Sequence, residues 1–214
     1  MKLELHNICL TLKNAQILSD ISFIAKEGEV IGLEGINGSG KTMLLRVIAG
    51  LVKASSGEVL VNGQVLGKDF SFPPRTGILV ENPAFLSNRT GLENLQILTS
   101  LADKSSDDTL KDLLYQVGLN PDDCRKFSKY SLGMKQKLGI AAACMDNPDL
   151  ILLDEPSNAL DTEGIQLLQK IIQRAKEHNA TILIASHDHI LLNSLADTIY
   201  VLADGRITNT RGGE

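Results

Sequence analysis

The chain has 214 residues, 43% of them hydrophobic and 22% charged, a composition that excludes a wholly disordered protein and supports a core without disulfide or metal staples. Lys plus Arg number 21 and Asp plus Glu 26, so the net charge is −5. A mildly acidic surface is a poor match for nucleic acid, and no nucleic-acid partner is expected.

The elements read as strands first, then alternating helix and strand. Lys2 to Leu12 alternates apolar and polar residues, as a half-buried strand does, and Asn14-Ala15 reads as a turn. Gly28 to Leu33 is a short apolar strand that runs into a glycine-rich turn. Lys41 to Ala49 follows as a helix that stops at Gly50. Gly57 to Leu66 reads as a hairpin turning at Asn62-Gly63. Pro73-Pro74 breaks the chain, and Gly77 to Val80 is a further strand. From Pro83 to Asn147 the pattern becomes helical, with polar joints at 104–108 and 120–123. After Pro148 the alternation resumes. Leu150 to Leu153 and Thr181 to Ala185 are apolar on both faces, as buried parallel strands are. Between them Thr162 to His178 carries Ile165, Leu168, Ile171, Ile172 and Ala175 on one helical stripe. Ile190 to Ala196 is a short helix, and Thr198 to Leu202 and Arg206 to Thr208 close the chain as strands.

No apolar run approaches the roughly 20 residues that span a bilayer, and the acid in Leu3-Glu4-Leu5 is unlike a signal peptide. The expected location is the cytosol, unless a partner holds the chain at a membrane. Cys9, Cys124 and Cys144 lack metal-ligand spacing and read as reduced thiols.

Gly35-Ile36-Asn37-Gly38-Ser39-Gly40-Lys41-Thr42 fits the P-loop pattern and has the required context, after a strand and opening a helix. Its glycines let successive backbone N–H groups curl around an anion, and the helix start adds its dipole. Lys41 supplies a charge for the outer phosphates, and the Thr42 hydroxyl can ligate Mg²⁺. Asp154 ends the apolar strand Leu150–Leu153 and so falls at the carboxyl edge of the sheet, placed to hold Mg²⁺. Glu155 follows and can polarise an attacking water. An Asp-Glu pair before Pro156 can also be a solvated turn; the P-loop is what favours the catalytic reading. Ser131 reads as a helix N-cap, leaving free N–H groups that suit a second phosphate, although an ordinary capped helix has the same pattern. Ser186-His187-Asp188 is not a hydrolase triad, because triad members converge from separate elements.

These motifs, with Tyr130-Ser131-Leu132-Gly133-Met134-Lys135-Gln136, resemble the nucleotide-binding subunits of ABC transporters. The resemblance implies an α/β P-loop NTPase fold: a single domain over 1–214, with a RecA-like core and antiparallel β subdomain over 1–82 and 148–214 and a helical subdomain over 83–147. It implies ATP and Mg²⁺ as cofactors, and Glu155 and His187 as catalytic residues, with His187 contacting the γ-phosphate. ATP would lie between Gly35–Thr42 of one copy and Ser131, Leu132, Gly133 and Met134 of another, in a head-to-tail homodimer. An integral membrane permease subunit is implied as a further partner, holding the chain at the inner face of the membrane, with Phe85, Leu86 and Leu92 as docking residues or as core. Ser157 to Asp161 resembles the loop that follows the catalytic acid.

Two positions depart from the family pattern. Leu12 stands where an aromatic residue usually meets adenine. Glu81 stands where a glutamine is usual, which adds a metal ligand beside Thr42 and Asp154 but sets a negative charge against the γ-phosphate and Glu155. Glu81 to Leu86 with Ser131 to Met134 resembles the subgroup that exports bacitracin and lantibiotics. The same motifs on a non-transport ABC ATPase acting on a macromolecular partner are the alternative.

Overall fold

The computed structural model describes residues 1–100 and 105–212; Lys104, the start of the polar joint expected at 104–108, lies outside the described residues. Strand β1 (Leu3–Leu12) pairs antiparallel with β2 (Ala15–Ala25) around a turn at Lys13-Asn14. The alternation in β1 changes parity between Leu5 and Ile8, both buried. The chain accommodates this with a bulge, in which Asn7 adopts φ 51° and the pairing with both neighbours shifts. Strand β3 (Val30–Glu34) and helix α1 (Lys41–Ile48) come next, then the hairpin β4 (Ser56–Val61) and β5 (Gln64–Val65). Its turn residues Asn62 and Gly63 both have positive φ, as the expected two-residue turn demands.

After β6 (Thr76–Leu79) the chain enters α2 (Gly91–Ser100), α3 (Asp107–Gln116), a 3₁₀ turn at Phe127–Lys129 and α4 (Leu132–Cys144). It returns through β7 (Leu150–Asp154), α5 (Thr162–Glu177), β8 (Thr181–Ser186), α6 (His189–Leu195) and the hairpin β9 (Thr198–Ala203) and β10 (Arg206–Gly212). Two sheets result. The four-stranded one is antiparallel, in the order β2-β1-β4-β5. The six-stranded one has the order β10-β9-β3-β8-β7-β6 and is parallel except for β10.

Side-chain parity in the parallel strands divides the core. Leu150 and Leu152 of β7 face one cluster, which the antiparallel sheet closes through Leu3, Leu5, Ile8 and Leu10, with Leu44, Leu45 and Ile48 of α1. Ile151 and Leu153 face the other, with Leu110, Leu114, Leu138, Leu168 and Ile171 from the helices. Burial on both sides is why β7 and β8 are apolar throughout. Helix α4 lies so close to β6 that a Cβ on Gly77 would overlap the Ala143 carbonyl oxygen.

This topology brings the carboxyl ends of β3, β7 and β8 to one edge of the sheet, where ligands of such sheets bind. The β9–β10 turn reaches the same edge. Gly205 N–H donates to the Ser39 carbonyl at 3.1 Å, and Ser19 N–H of β2 donates to the Gly205 carbonyl at 2.8 Å. Gly40 completes this contact: a Cβ there would stand 2.9 Å from Leu18 Cδ2.

Candidate nucleotide site

The loop between β3 and α1 is shaped by its glycines. Gly38 and Gly40 hold φ 85° and 106°, in the left-handed region, and Gly40 caps α1 without a side-chain bond. A Cβ on Gly35 would stand 2.5 Å from the Leu202 carbonyl oxygen and from Ser39 Oγ. Ile36, Asn37 and Gly38 face solvent, and Ser39 is buried. The Lys41 ammonium, on a residue only 5% exposed, donates to the Gly35 carbonyl at 2.5 Å and the Ile36 carbonyl at 3.2 Å. It lies 3.7 Å from Glu155 Oε1.

Asp154 comes from the buried end of β7 and accepts a 2.7 Å hydrogen bond from Thr42 Oγ1. Burial pushes the Asp154 carboxyl above the usual aspartate range; the Thr42 bond and the Lys41 charge pull it back, and the Glu155 charge adds to the rise. Desolvation is the leading cause of the rise at Asp154, ahead of the neighbouring Glu155 charge. Glu155 sits in the turn after β7 with φ 46°, its N–H bonded to the Ala185 carbonyl at 2.8 Å. Its Oε2 takes a 3.2 Å bond from Ser186 Oγ and lies 2.9 Å from Nδ1 of His187, both just past β8. Asp188 is occupied capping α6, through the N–H groups of Ile190 and Leu191.

Asp154 Oδ1, Glu155 Oε1 and Ser39 Oγ are buried and have no hydrogen-bond partner. Three orphaned oxygens beside a curled loop and an ammonium fit a Mg-bound phosphate chain, because buried polar atoms otherwise find partners. Among the described residues no three His, Cys, Asp or Glu side chains converge as a metal cage. A depression of about 450 Å³ beside the site is lined by Glu81, Asn82, Gln136, Asp154, Glu155 and Asn158. A larger hollow, about 800 Å³, opens among Arg75, Thr109, Cys144, Ile151 and Arg174, and has none of the phosphate-loop groups.

Glu81 shares the depression, but its carboxylate is ion-paired with Arg46 of α1. It is 59% exposed on the side chain and its backbone has φ 65°. The sequence reading made Glu81 a metal ligand and did not connect it with Arg46.

The segment Ser131–Met134 divides its work. Ser131 caps α4 by accepting from Met134 N–H at 3.2 Å, and Met134 packs into the helical core. Gly133 has no room for a Cβ, which would stand 2.7 Å from the Ala159 carbonyl oxygen. Leu132 is 63% exposed. One residue of this motif went unassigned from sequence. The Gln136 amide, on a residue 7% exposed, donates to the carbonyls of Glu155 at 3.2 Å and Pro156 at 3.1 Å. A glutamine among the apolar residues of α4 was the available signal. Phe85 stacks edge-on against Phe127, and Leu92 also packs into the helical core, whereas Leu86 is exposed. Leu12, also exposed, offers no ring.

Comparison with known proteins places the chain in a family. Residues 18–158 match the family model described as ABC transporter. An uncharacterized ABC transporter ATP-binding protein of Bacillus subtilis (strain 168), YybJ, is 40% identical over 205 residues, 96% of this chain and 94% of that protein. The lantibiotic transport ATP-binding protein SrtF of Streptococcus pyogenes is 34% identical over 96% of this chain and 88% of its own length. Among solved structures, an ATP-binding subunit of an ABC transporter superposes with a TM-score of 0.89 at 26% identity, covering 99% of this chain and 90% of that one. The chain belongs to the ABC transporter family, as one of its ATP-binding cassettes.

Proposed function

We propose that the chain binds and hydrolyses ATP to power export through a separate membrane permease. The observation that carries this reading is the convergence of Lys41, Thr42, Asp154, Glu155 and His187 at one sheet edge. The loop 35–42 and the Lys41 ammonium hold the phosphates. Thr42 and Asp154 are the residues that would hold Mg²⁺, which supplies charge neutralisation along the phosphate chain. Glu155 orients the attacking water and accepts its proton, and His187 positions Glu155 through Nδ1. When ATP arrives, Lys41 exchanges its carbonyl partners for phosphate oxygens.

The second half of the site comes from another copy. Ile36 is 78% exposed within the phosphate loop, and Leu132 is open at the capped start of α4. Apolar side chains on two anion-binding segments fit surfaces that meet across an interface. We assign Ser131–Met134 of a second copy to the nucleotide held by Gly35–Thr42 of the first, as a head-to-tail homodimer. A permease places the cassette at the inner face of the membrane; among the described residues no helix is long and apolar enough to cross it. The name of SrtF supports a peptide antibiotic as the exported class.

Light scattering on Glu155→Gln tests the reading. The substitution keeps shape but removes the base, so Mg-ATP is expected to convert monomer to dimer. A variant that binds ATP and stays monomeric would overturn the homodimer.

A further inference from the structure

Helix α1 carries a partner for each of the three acids that line the depression beside the phosphate loop. Lys41 lies against Glu155, Thr42 bonds Asp154, and Arg46 pairs with Glu81. Thr42 and Arg46 are four residues apart, so they share one face of the helix, a turn removed from each other. Asp154 is buried and Glu155 nearly so, whereas Glu81 is exposed and has room to turn. Freed from Arg46, the Glu81 carboxylate would stand at the rim of a depression that already holds two acids and receives a polyanion.

We propose that Arg46 is a positioning residue for the nucleotide site: its guanidinium fixes Glu81 and offsets its charge, so that Glu81 and Arg46 together present the site with an ion pair of zero net charge. This rests on the reading of the site as an ATP site. It explains how a glutamate is tolerated where the family resemblance leads one to expect an uncharged glutamine. It also predicts an asymmetry. Removing Arg46 is worse than removing the charge of Glu81, because only the first leaves a naked carboxylate facing phosphate. Arg46 is itself partly exposed and stays hydrated when unpaired.

The test is equilibrium binding of a fluorescent ATP analogue in EDTA, without Mg²⁺, at 50 mM and 500 mM salt. Arg46→Ala is expected to weaken binding about three- to tenfold at low salt, with most of the loss screened out at high salt. Arg46→Lys is expected to stay within about twofold of wild type, since it keeps the charge. Glu81→Gln and the double variant Arg46→Ala/Glu81→Gln are expected to bind within about twofold of wild type as well. Equal weakening in Arg46→Ala and the double variant would overturn the proposal and assign Arg46 to the packing of α1. An Arg46→Ala protein that melts normally and binds as wild type would overturn it too. A wild-type chain that binds no ATP either in EDTA or with Mg²⁺ restored would overturn the nucleotide reading itself, and this is measured before any variant is compared.

Discussion

Replacing Gln136 with Leu tests whether α4 holds the turn after β7, which carries Glu155. The side-chain volume is nearly conserved, so the change is chiefly the loss of two hydrogen bonds, to the Glu155 and Pro156 carbonyls. Both bonds lie at least partly out of water, and the bond to Pro156 is fully buried. A buried acceptor left unpaired costs about 1–3 kcal/mol. Two acceptors make this about 2–6 kcal/mol, and Leu in the same space recovers part of it through apolar burial, so the net loss should be about 2–3 kcal/mol. For a chain of this length that is a fall in Tm of about 4–12 °C, measured by circular dichroism without nucleotide. Turnover should fall further than the lost stability explains. Glu155 holds a left-handed conformation, and the Gln136 amide is one of the few bonds that fix its turn. ATPase assays well below the melting range should show a lower kcat, with KM for ATP within about threefold of wild type. A Tm within 2 °C of wild type, about the resolution of the method, together with an unchanged kcat, would refute the reasoning.

Without nucleotide or Mg²⁺, Asp154→Asn should raise stability at pH 7–8. The folded-state pKa of Asp154 is raised, so its contribution is most favourable below the usual aspartate range and is lost as pH rises through the folded value. The advantage of the variant should therefore close as the pH falls, and melts from pH 4 to 8 measure it. Lys41→Ala should abolish nucleotide binding in a titration calorimeter while leaving the fold intact. Gly77→Ala should cost about 3 kcal/mol or more, because its Cβ meets backbone of α4, whereas Gly63→Ala should cost about 1–2 kcal/mol for its positive φ alone. Urea unfolding separates the two. Cys144, whose thiol burial pushes up to about 12, should resist iodoacetamide at pH 8, whereas the exposed Cys124 reacts.

Local signals made much of the fold legible. The Asn62-Gly63 turn, the doubly apolar strands β7 and β8, and the stripe on α5 each depend on a few neighbouring residues. The phosphate loop was equally plain, because its shape is written in glycines. Strand β2 was missed even though Ile21, Phe23 and Ala25 alternate in its second half; its first half, Ala15–Ser19, lacks that regularity. The Arg46–Glu81 pair spans 35 residues and was invisible, since no local rule brings the side of α1 to the end of β6. Gln136 ends the motif that begins at Tyr130, yet its bonds depend on the approach of α4 to the turn after β7, which no local pattern announces. Phe85, Leu86 and Leu92 carry no local mark that separates docking from core; in the fold Phe85 and Leu92 are half-buried against the helical core and Leu86 is exposed.

The contact of the β9–β10 turn with the phosphate loop has a consequence for how the cassette meets its ligand. Gly205 and Ser19 tie the loop's Ser39 to strands of both sheets, so the curl of the loop is enforced from outside the motif. Folding has then already met the cost of ordering the backbone that encloses the phosphates, and an arriving nucleotide displaces water and the Lys41 contacts without having to organise the chain around itself.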